Sequence, residues 1–515
     1  MEFKGKKVLV VGLARSGAGA ANLLSSIGAR VTVTDIRPRN LLLDNIRTLS
    51  PDIEIITGEH PEEIFSTADL IVVSPGVPLN IPPLGNAKAS GKPVIGEMEL
   101  AYQVIKSVVS SQTSGAKETT DLKSQLSIPN FIGITGTNGK STTTTLIDRM
   151  IKKSGFQTLL GGNIGSALTE EICKALGVRG QGIKDSSPNA SRLTPIDYIV
   201  AEISSFQLES IKDFRPFVAV LLNITPDHLD RYNNIQDYVN AKTRIFENQE
   251  PGDYLIINAD DPVTARLVSK KLEVRSQKKP KVLYFSRERE VNGIYCKDGR
   301  IYCNFFSPPR TAPSAFLRKQ EEGAVSSPFE VIAVEDIRIK GVHNHENAMA
   351  ASLVSIICGC PVDEIRSVLK DFPGLEHRLE FVCEVKGVIY INDSKGTNTG
   401  AVAKSLEGLE RVVLIMGGRD KDGDFAKLKD LISKKVKALI LLGEAREKIA
   451  LALRDTTEII PVNSLKEAVE VSRSKASPGD VVLLSPGCTS FDMFADFKER
   501  GEEFKKAVNA IENSR

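Results

Sequence analysis

Residues 131–145 read FIGITGTNGKSTTTT, an apolar run followed by a glycine-rich turn and a stretch that favours a helix. The turn predicts a phosphate-binding loop, because its glycines let backbone N–H groups face an anion and the following helix presents its positive end there. Lys140 can then reach the terminal phosphates of a nucleotide, and the Ser141 hydroxyl can bind Mg²⁺. The candidate nucleotide contacts in this loop are Gly136, Thr137, Asn138, Gly139, Lys140, Ser141 and Thr142.

The loop departs from the standard GxxxxGK[ST] pattern, which requires a glycine where this chain has Ile134; the leading glycine is Gly136. A glycine-rich turn that carries only a surface lysine is the alternative interpretation. The position between an apolar strand and a helix favours nucleotide binding. Phosphate loops serve kinases, ATPases and ligases alike, so the loop by itself leaves the reaction open.

Alternating apolar strands and helical patterns extend outward from the loop through most of the 515 residues, which is typical of α/β proteins with open parallel sheets. We predict three domains: a Rossmann-like N-terminal domain at 1–105, a central P-loop ATPase-like domain with a parallel sheet at 106–372, and a C-terminal Rossmann-like domain at 373–515. Two of the clearest predicted strands are Lys7–Val11 and Val388–Asn392.

Three polar or irregular stretches interrupt this pattern. Residues 107–127 are rich in Ser, Thr, Gln and Lys and predict a linker, whereas residues 180–194 predict an exposed loop. Residues 273–328 carry Pro, Ser and short alternating runs, which suggests added antiparallel strands. The sequence assigns no role to these three stretches.

The composition disfavours several classes of protein. The net charge is +2 and no segment concentrates basic residues, so a nucleic-acid binder is not expected. No apolar run approaches the length of a membrane span, and the polar start at Met1–Lys7 leads directly into a strand, so neither membrane insertion nor a targeting segment is expected. The seven cysteines lack CxxC spacing, which fits reduced thiols and a cytoplasmic location.

Polar side chains follow two further strands of the central block. Glu202 ends one apolar run, and Asp227 and His228 follow another. Ligands of open α/β sheets bind beyond the carboxyl ends of the strands, so a carboxylate there could hold Mg²⁺ opposite Ser141. For isolated residues, a solvated glutamate and a hydrogen-bonded histidine are the commoner cases. Their shared position favours a metal or substrate role for Glu202 and His228.

Five motifs, in order along the chain, resemble those of the Mur ligase family. They are GITGTNGKSTTTT at 133–145, GGNIG at 161–165, EISSFQLE at 202–209, NITPDHLDR at 223–231 and AKTRIFEN at 241–248. The resemblance covers nearly the whole chain outside the three irregular stretches. It implies the three-domain fold of the family and an ATP-dependent amide ligase that activates a carboxylate as an acyl phosphate.

The resemblance also implies roles at the centre of the site. Lys140, His228 and Lys242 match residues with a catalytic role, and two Mg²⁺ ions are expected. The implied metal-binding residues are Ser141, Glu202, His228 and Lys242, with Lys242 carbamylated. From the residues alone, Lys242 is an ordinary lysine on a helix face. Carbamylation would convert this cation into a carboxylate-like anion, which suits a position beside metal ions.

The remaining nucleotide contacts and the UDP site also follow from the resemblance. Asn344 and Asn347 match asparagines that contact adenine, and an amide suits adenine because it both donates and accepts hydrogen bonds. Arg378 matches an arginine that reaches a nucleotide phosphate, and Asp393 matches a ribose or hinge contact. The residues that match the UDP site of the family are Arg15, Ser16, Gly17, Asp35, Arg37, Ser74, Pro75, Gly76 and Asn163.

Part of this UDP site also resembles a dinucleotide fingerprint. Residues 10–19 read VVGLARSGAG and follow the first strand. Ala14 replaces the second glycine, which would let a pyrophosphate approach the backbone closely, so NAD or FAD is not expected. A plain Rossmann-like turn with structural glycines is the alternative to a UDP site.

Three motifs of the C-terminal block lie at the carboxyl ends of strands, and the resemblance implies that they form an amino-acid site. They are NDSKGTN at 392–398, MGGRDK at 416–421 and LSPGCTSFDMF at 484–494. In the branch of the family that adds D-glutamate, the matching residues around the amino acid are Thr397, Lys421, Ser490, Phe491 and Phe497. A lysine and hydroxyl groups suit two carboxylates. The DNPR-like motif of branches that add a diamino acid does not occur in the sequence, which favours D-glutamate.

The resemblance therefore implies three small-molecule substrates, UDP-N-acetylmuramoyl-L-alanine, D-glutamate and ATP, and we expect a monomer. Folylpolyglutamate synthetase is a rival interpretation, but the UDP-like N-terminal domain is not expected there. A nucleotide-regulated binding protein without turnover is disfavoured by the intact Lys140, Glu202, His228 and Lys242. An NAD-dependent oxidoreductase is disfavoured by Ala14 and by the presence of the phosphate-binding loop at residues 136–142.

Overall fold

The computed structural model describes residues 2–115, 128–177, 196–227, 231–232, 234–273, 279–305 and 328–513. Three β-sheets follow one another along the chain with helices between their strands, which confirms the three-domain α/β class predicted from the sequence. Within the described ranges, no helix has both the length and the apolar character needed to cross a membrane. Short 3₁₀ turns lie at Arg39–Leu41, Arg244–Phe246, Val334–Asp336 and Phe425–Leu428.

The N-terminal sheet is fully parallel. Its strands are β1 (Lys7–Val11), β2 (Arg30–Asp35), β3 (Glu54–Thr57), β4 (Leu70–Val73) and β5 (Val94–Gly96). Its helices are α1 (Arg15–Ser26), α2 (Leu43–Ile46), α3 (Glu62–Thr67), α4 (Pro82–Ala89) and α5 (Glu97–Gly115). The strand order is β3-β2-β1-β4-β5. The central strand β1 has the predicted bounds, and its buried residues from Val8 to Val11 fit a parallel strand covered on both faces.

Helix α5 replaces the first part of the predicted linker. The prediction of a linker at 107–127 is wrong for 107–115, which continue this helix. Val104, Ile105 and Val109 are buried at helical spacing, so packing against the core extends the helix into a polar stretch. Residues 116–127 lie outside the described residues. The helix also runs across the predicted domain boundary between residues 105 and 106.

The central sheet has nine strands in the described part of the chain. They are β6 (Asn130–Thr135), β7 (Thr158–Gly162), β8 (Tyr198–Glu202), β9 (Val218–Leu221), β10 (Tyr254–Asn258), β11 (Lys281–Ser286), β12 (Gly293–Lys297), β13 (Arg300–Cys303) and β14 (Phe329–Ala333). The helices are α6 (Lys140–Lys153), α7 (Leu168–Ala175), α8 (Ser205–Leu208), α9 (Ile235–Thr243), α10 (Pro262–Glu273), α11 (Val342–Ile357) and α12 (Val362–Asp371). The strand order is β14-β13-β12-β11-β10-β9-β6-β8-β7.

This order places the nucleotide loop inside the central sheet. Strand β6 pairs in parallel with β8 on one side and β9 on the other, so the carboxyl ends of three strands meet at the loop. Strands β12 and β13 pair antiparallel, which confirms the antiparallel strands predicted within 273–328, and β13 also pairs antiparallel with β14, which follows that stretch. The predicted loop at 180–194 lies outside the described residues, as do 274–278 and 306–327.

The C-terminal sheet has six strands in the described residues. They are β15 (Glu380–Val385), β16 (Val388–Asn392), β17 (Val412–Gly417), β18 (Val436–Leu442), β19 (Glu458–Pro461) and β20 (Val481–Gly487). The helices are α13 (Thr399–Glu407), α14 (Lys429–Lys435), α15 (Arg446–Ala452), α16 (Leu465–Lys475) and α17 (Phe497–Asn513). The strand order is β15-β16-β20-β17-β18-β19, with only the β15–β16 pair antiparallel. The predicted strand Val388–Asn392 is confirmed.

The first two domains share one hydrophobic core, whereas the third has cores of its own. The shared cluster joins Leu24 of α1 to Phe131 and Phe214 of the central domain. The buried Glu99 carboxylate of α5 also accepts three backbone N–H hydrogen bonds from residues 212–214, at 2.8, 3.0 and 2.9 Å. The C-terminal sheet packs around two separate clusters. Its position against the other domains therefore depends on surface contacts, which include those of the site described next.

Candidate active site

The geometry of the nucleotide loop requires glycine. Gly139, at the N-cap of α6, has a φ of 86°, a left-handed value that favours glycine. A Cβ at this position would lie 2.3 Å from Oδ1 of Asn347 on α11. Lys140 Nζ donates to the carbonyl oxygens of Gly136 (2.9 Å) and Thr137 (2.8 Å), so its ammonium group lies across the loop. The loop thus places a cation at the positive end of a helix, as an anion site requires.

Ser141 and Glu202 face each other across the carboxyl ends of β6 and β8. Ser141 Oγ donates to Glu202 Oε2 at 2.5 Å, and Asn163 Nδ2 donates to Glu202 Oε1 at 2.9 Å. Glu202 is 2% exposed, and Arg378 Nη2 donates to the same serine oxygen at 2.7 Å. A hydroxyl and a carboxylate are oxygen ligands that suit Mg²⁺. His228, the third predicted ligand from a strand end, lies outside the described residues.

Lys242 is buried at the same point rather than exposed on a helix face. Its side chain on α9 is 2% exposed, and Nζ donates to the carbonyl oxygen of Gly136 at 2.8 Å. Nζ also lies 4.6 Å from the centroid of the Tyr238 ring. Burial lowers the pKa of Lys242 well below its usual value, and the neighbouring Lys140 lowers it further. Two lysines therefore share a buried site, which makes protonation of Lys242 less favourable than in water.

A cavity of about 740 Å³ opens beside the loop. The predicted nucleotide residues that line it are Asn138, Gly139, Thr142, Asn344, Asn347, Arg378 and Asp393. Thr137 and Lys140 line a neighbouring cavity described below. The structure thus brings together residues that the sequence separates by more than two hundred positions.

The two predicted adenine-contacting asparagines hold each other in place. Asn347 Nδ2 donates to Asn344 Oδ1 at 3.3 Å, and Asn344 Nδ2 donates to the carbonyl oxygen of Lys340 at 2.8 Å. Next to them, the buried Nδ1 of His343 has no hydrogen-bond partner among the described residues, and its side chain lines the cavity. His343 was not singled out from the sequence, although it lies beside Asn344. An unpaired buried polar atom in a cavity fits a bound nucleotide.

The contacts of Asp393 favour the hinge role over the ribose role. Its Oδ2 accepts hydrogen bonds from the hydroxyls of Ser405 and Ser485, both at 2.8 Å, and Oδ1 accepts one from the backbone N–H of Leu379 at 3.3 Å. Burial raises the pKa of Asp393 to about 6. The carboxylate therefore fixes the chain segment that carries Arg378.

A second cavity, of about 310 Å³, joins the nucleotide loop to the C-terminal domain. Lys140, Glu202 and Lys242 line one side of it. All five predicted amino-acid residues line it as well: Thr397, Lys421, Ser490, Phe491 and Phe497. Three motifs at the carboxyl ends of different strands thus converge on the nucleotide loop, which is the placement expected for a ligand site of an open α/β sheet.

Lys395 and Asp227 are two further charged residues of this cavity. Lys395 lines both cavities, and its Nζ lies 3.7 Å from the centroid of the Phe497 ring. Burial lowers the pKa of Lys395 to about 7. Asp227 Oδ1 pairs with Lys421 Nζ at 3.6 Å, and its Oδ2 accepts a hydrogen bond from Asn398 at 3.1 Å. The strand-end position of both residues was the sequence signal for them, but neither was assigned a role.

The predicted UDP residues divide into two groups. Gly17, Asp35 and Ser74 hold the first turn of the N-terminal domain, since Asp35 accepts the Leu13 backbone N–H at 2.7 Å and Ser74 Oγ donates to a backbone carbonyl at 2.8 Å. Burial alone would raise the pKa of Asp35, but hydrogen bonds from Arg37 and Leu13 hold it below its usual value. The residues with partly or fully exposed surface are Arg15, Ser16, Arg37, Pro75, Gly76 and Asn163.

Two predicted UDP residues of the N-terminal domain, Arg15 and Pro75, contact the central domain, and a third, Asn163, belongs to that domain. The Pro75 carbonyl oxygen accepts a hydrogen bond from Arg231 Nη1 at 3.1 Å. Arg15 donates to Glu170 at 3.3 Å and to Ser166 at 3.1 Å, so it links α1 to the region of α7. Asn163 lines the second cavity and binds the Glu202 carboxylate. Its contacts therefore place it at the carboxylate expected to bind metal.

Comparisons with known proteins cover all three domains. Residues 6–96 match the family described as Mur ligase MurD-like, N-terminal domain, residues 134–355 match Mur ligase middle domain, and residues 377–488 match Mur ligase, glutamate ligase domain. The chain is 42% identical over 514 residues to the UDP-N-acetylmuramoylalanine--D-glutamate ligase of Geotalea daltonii, with 99% of each chain covered. It is 40% identical over 515 residues to the protein of that name from Caldanaerobacter subterraneus subsp. tengcongensis, again with 99% of each covered.

The fold is also similar to that of a solved structure. The MurF ligase of Thermotoga maritima in complex with ADP superposes with a TM-score of 0.54 at 15% identity, covering 93% of this chain and 95% of that one. At this identity the likeness shows the shared fold alone.

Proposed function

The chain belongs to the Mur ligase family, and from this premise we propose that it is an ATP-dependent ligase that joins D-glutamate to UDP-N-acetylmuramoyl-L-alanine, a step in peptidoglycan precursor synthesis. The observation that carries the proposal is the cavity shared by Lys140 and Glu202 with Thr397, Lys421 and Ser490. Phosphate chemistry and amino-acid binding would meet there. The relatives of that name, which match along their full length, support the choice of amino acid.

The reaction would proceed in two steps. The carboxylate of the L-alanine residue would attack the γ-phosphorus of ATP, which gives an acyl phosphate and releases ADP. The neutral amine of D-glutamate would then attack the acyl carbon, and the tetrahedral intermediate would lose a proton and expel inorganic phosphate to leave the amide. No covalent bond to the protein is needed, so catalysis depends on positioning and electrostatics.

The residues of the second cavity suit these steps. The Lys140 ammonium group, at the positive end of α6, would bind the γ-phosphate and stabilise the charge that develops there. Lys421 and the hydroxyls of Thr397 and Ser490 would bind the two carboxylates of D-glutamate. The amine would then lie between the nucleotide loop and the C-terminal domain, on the acyl phosphate.

The donor set at this point fits Mg²⁺. The Ser141 hydroxyl and the Glu202 carboxylate supply oxygen ligands, and we propose two ions, with His228 as a further ligand. When bound, Mg²⁺ neutralises phosphate oxygens and withdraws charge from the transferred group. An ammonium group cannot bind a metal ion, so Lys242 fits this set only after a change of charge. The nearby charge of Lys140 also disfavours an ammonium group at this buried position.

Carbamylation of Lys242 would make that change. The neutral amine adds to CO₂ and loses a proton, which turns the buried amine into an anion with two oxygen ligands. The lowered pKa of Lys242 raises the fraction of reactive neutral amine, and the carbamate anion would be attracted to the adjacent Lys140 ammonium group. We therefore propose that Lys242 acts as a carbamate.

The N-terminal domain, which we place at residues 1–105, would bind the UDP part of the substrate. Arg15 and Ser16 lie at the amino end of α1, where a pyrophosphate is favoured, and Arg37 follows the end of the neighbouring strand β2. The match of residues 6–96 to a MurD-like domain supports this assignment over folylpolyglutamate synthetase. The proposal also places the enzyme in the cytoplasm as a monomer.

Phosphate release provides the test. The protein is incubated with ATP, Mg²⁺ and UDP-N-acetylmuramoyl-L-alanine, with D-glutamate, L-glutamate or diaminopimelate added in separate reactions. Release that requires both the UDP substrate and D-glutamate is the expected outcome. Release with diaminopimelate instead would assign the chain to another branch of the family. The absence of release with all three amino acids would contradict the ligase assignment.

A further inference from the structure

The segment that carries Arg378 has an unusual backbone. His377 and Leu379, on either side of Arg378, have φ values of 62° and 43°, in the left-handed region that residues other than glycine seldom adopt. Such conformations persist only where surrounding contacts hold them. Arg378 Nη2 reaches Ser141 Oγ of the nucleotide loop from this segment, at 2.7 Å. The contacts that hold His377 therefore decide where Arg378 points.

His377 is fixed on several sides within the C-terminal domain. It is 4% exposed, and its Nδ1 accepts a hydrogen bond from Asn392 Nδ2 at 2.9 Å. Its backbone N–H donates to Glu380 Oε2 at 2.8 Å, and its carbonyl oxygen accepts the N–H of Lys395 at 3.0 Å. The imidazole thus acts as an anchor for the strained segment.

Gly501 provides the space for this imidazole. It lies inside helix α17, where glycine is unfavourable relative to alanine, and its backbone has no positive φ that would call for glycine. A Cβ on Gly501 would lie only 2.2 Å from His377 Nδ1. The close approach of the histidine therefore accounts for this glycine.

The same helix reaches the amino-acid cavity. Phe497, its first residue, lines that cavity and packs edge-on against the His377 ring, with 6.0 Å between the ring centroids. The first two turns of α17 thus touch both the amino-acid site and the anchor of Arg378.

We propose that His377, seated against Gly501, is a positioning residue that sets Arg378 on the nucleotide loop and couples the nucleotide site to the amino-acid end of α17. This inference rests on the proposed function only in taking the two ligands to be ATP and D-glutamate. A merely structural histidine would affect how much protein folds, and the nucleotide affinity of the folded fraction would stay unchanged.

The variant Gly501→Ala tests the proposal by displacing the imidazole with one methyl group. Binding of ADP with Mg²⁺ and of UDP-N-acetylmuramoyl-L-alanine is measured by calorimetry on the full chain. The Kd for ADP should rise about tenfold, the scale of one hydrogen bond to a charged group, while the Kd for the UDP substrate should stay unchanged. Gly85→Ala is the matched control, because Gly85 lies inside α4 with no atom within 4 Å of its Cβ position. This control should change neither Kd.

His377→Gly provides the second variant, since it removes the imidazole and tolerates a positive φ. It should weaken ADP binding about as much as Gly501→Ala does, and combining the two should add little, because the methyl group then meets no ring. Wild-type ADP affinity in folded Gly501→Ala, or fully additive effects in the double variant, would overturn the inference alone. Absence of ADP binding by the unchanged protein would overturn the proposed function and the inference together.

Discussion

Arg378 Nη2 donates to Ser141 Oγ at 2.7 Å, and the same serine donates to Glu202 Oε2 at 2.5 Å. A residue from the segment before the C-terminal sheet therefore meets the central nucleotide loop where phosphate and metal are proposed to bind. Burial lowers the pKa of Arg378, while the carboxylates of Glu202 and Asp393 oppose the shift. The nucleotide site thus belongs to two domains, and neither domain alone supplies all of it.

Replacing Arg378 should therefore weaken nucleotide binding more than it weakens binding of the UDP substrate. For Arg378→Met, we expect the KM for ATP to rise about tenfold to a hundredfold, the range for loss of a hydrogen bond to a charged group. The KM for the UDP substrate should change by less than about twofold, within the scatter expected for a distant site. Steady-state kinetics with each substrate varied in turn would measure both values. Equal increases in the two KM values would contradict the assignment.

Gly139 and Gly155 form a matched pair for testing the nucleotide loop. Both have left-handed backbones, with φ values of 86° and 89°. A Cβ on Gly139 would meet Asn347 Oδ1 at 2.3 Å, whereas one on Gly155 would meet no atom within 4 Å. Gly155→Ala should therefore cost only the backbone strain, about 1–2 kcal/mol of unfolding free energy, and should keep nucleotide affinity. Gly139→Ala should cost more and should abolish detectable ADP binding in calorimetry.

Much of the fold and of the second cavity could be predicted from the sequence, because the signals are local. The glycine-rich turn after Phe131 predicted the loop, and the family resemblance of three strand-end motifs predicted Thr397, Lys421 and Ser490, which converge in the structure. Parallel sheets bring strand ends together regardless of their order along the chain, so motifs far apart in sequence can be assigned to one edge.

The errors and omissions have a different cause. Helix α5 extends through residues with polar sequence because Val109 and its neighbours pack on the core, and composition does not report that packing. The burial of Lys242 and Lys395 likewise depends on elements from other parts of the chain. The contact of His377 with Gly501 joins residues more than a hundred positions apart, so the local sequence around either residue does not predict it.

The carbamate proposed for Lys242 predicts that activity depends on CO₂. At constant pH, wild-type turnover should fall in buffer depleted of CO₂ and should recover when bicarbonate is added. Lys242→Gln, which cannot form the carbamate, should lower kcat by about a hundredfold or more with or without bicarbonate, as expected for loss of a charge that acts on the transferred group. The exposed Lys466→Gln serves as the control and should behave as wild type. A wild-type turnover rate that does not change with CO₂ depletion or added bicarbonate would contradict the proposed carbamate.

Lys395 predicts a pH dependence of stability. Its pKa is about 7 in the folded protein against 10.5 as the reference, so between these values the unfolded chain binds more protons. The free energy of unfolding should therefore decrease as pH falls from about 10.5 to about 7, and this contribution should level off below pH 7. Denaturant titrations at several pH values should show that Lys395→Met loses this slope, whereas the exposed Lys466→Met retains it. An unchanged slope in Lys395→Met would assign the effect to other groups.

The separate cores of the C-terminal domain predict that it moves as a body against the other two domains. In the arrangement described, Asp227 of the central domain meets Lys421 at 3.6 Å and Asn398 at 3.1 Å, and these contacts, with that of Arg378, hold the second cavity together. Because the first two domains share one core, the segment before β15 is the natural hinge, and closure would bring Lys421 and Ser490 onto the bound nucleotide.

Solution scattering should show a smaller radius of gyration with ADP, Mg²⁺ and the UDP substrate than without them. Asn398→Ala should reduce that difference, since it removes one of the closing contacts, whereas Gly85→Ala should preserve it. Identical dimensions with and without ligands would mean that the domains already hold this arrangement, and turnover would then have to be limited by a step other than closure.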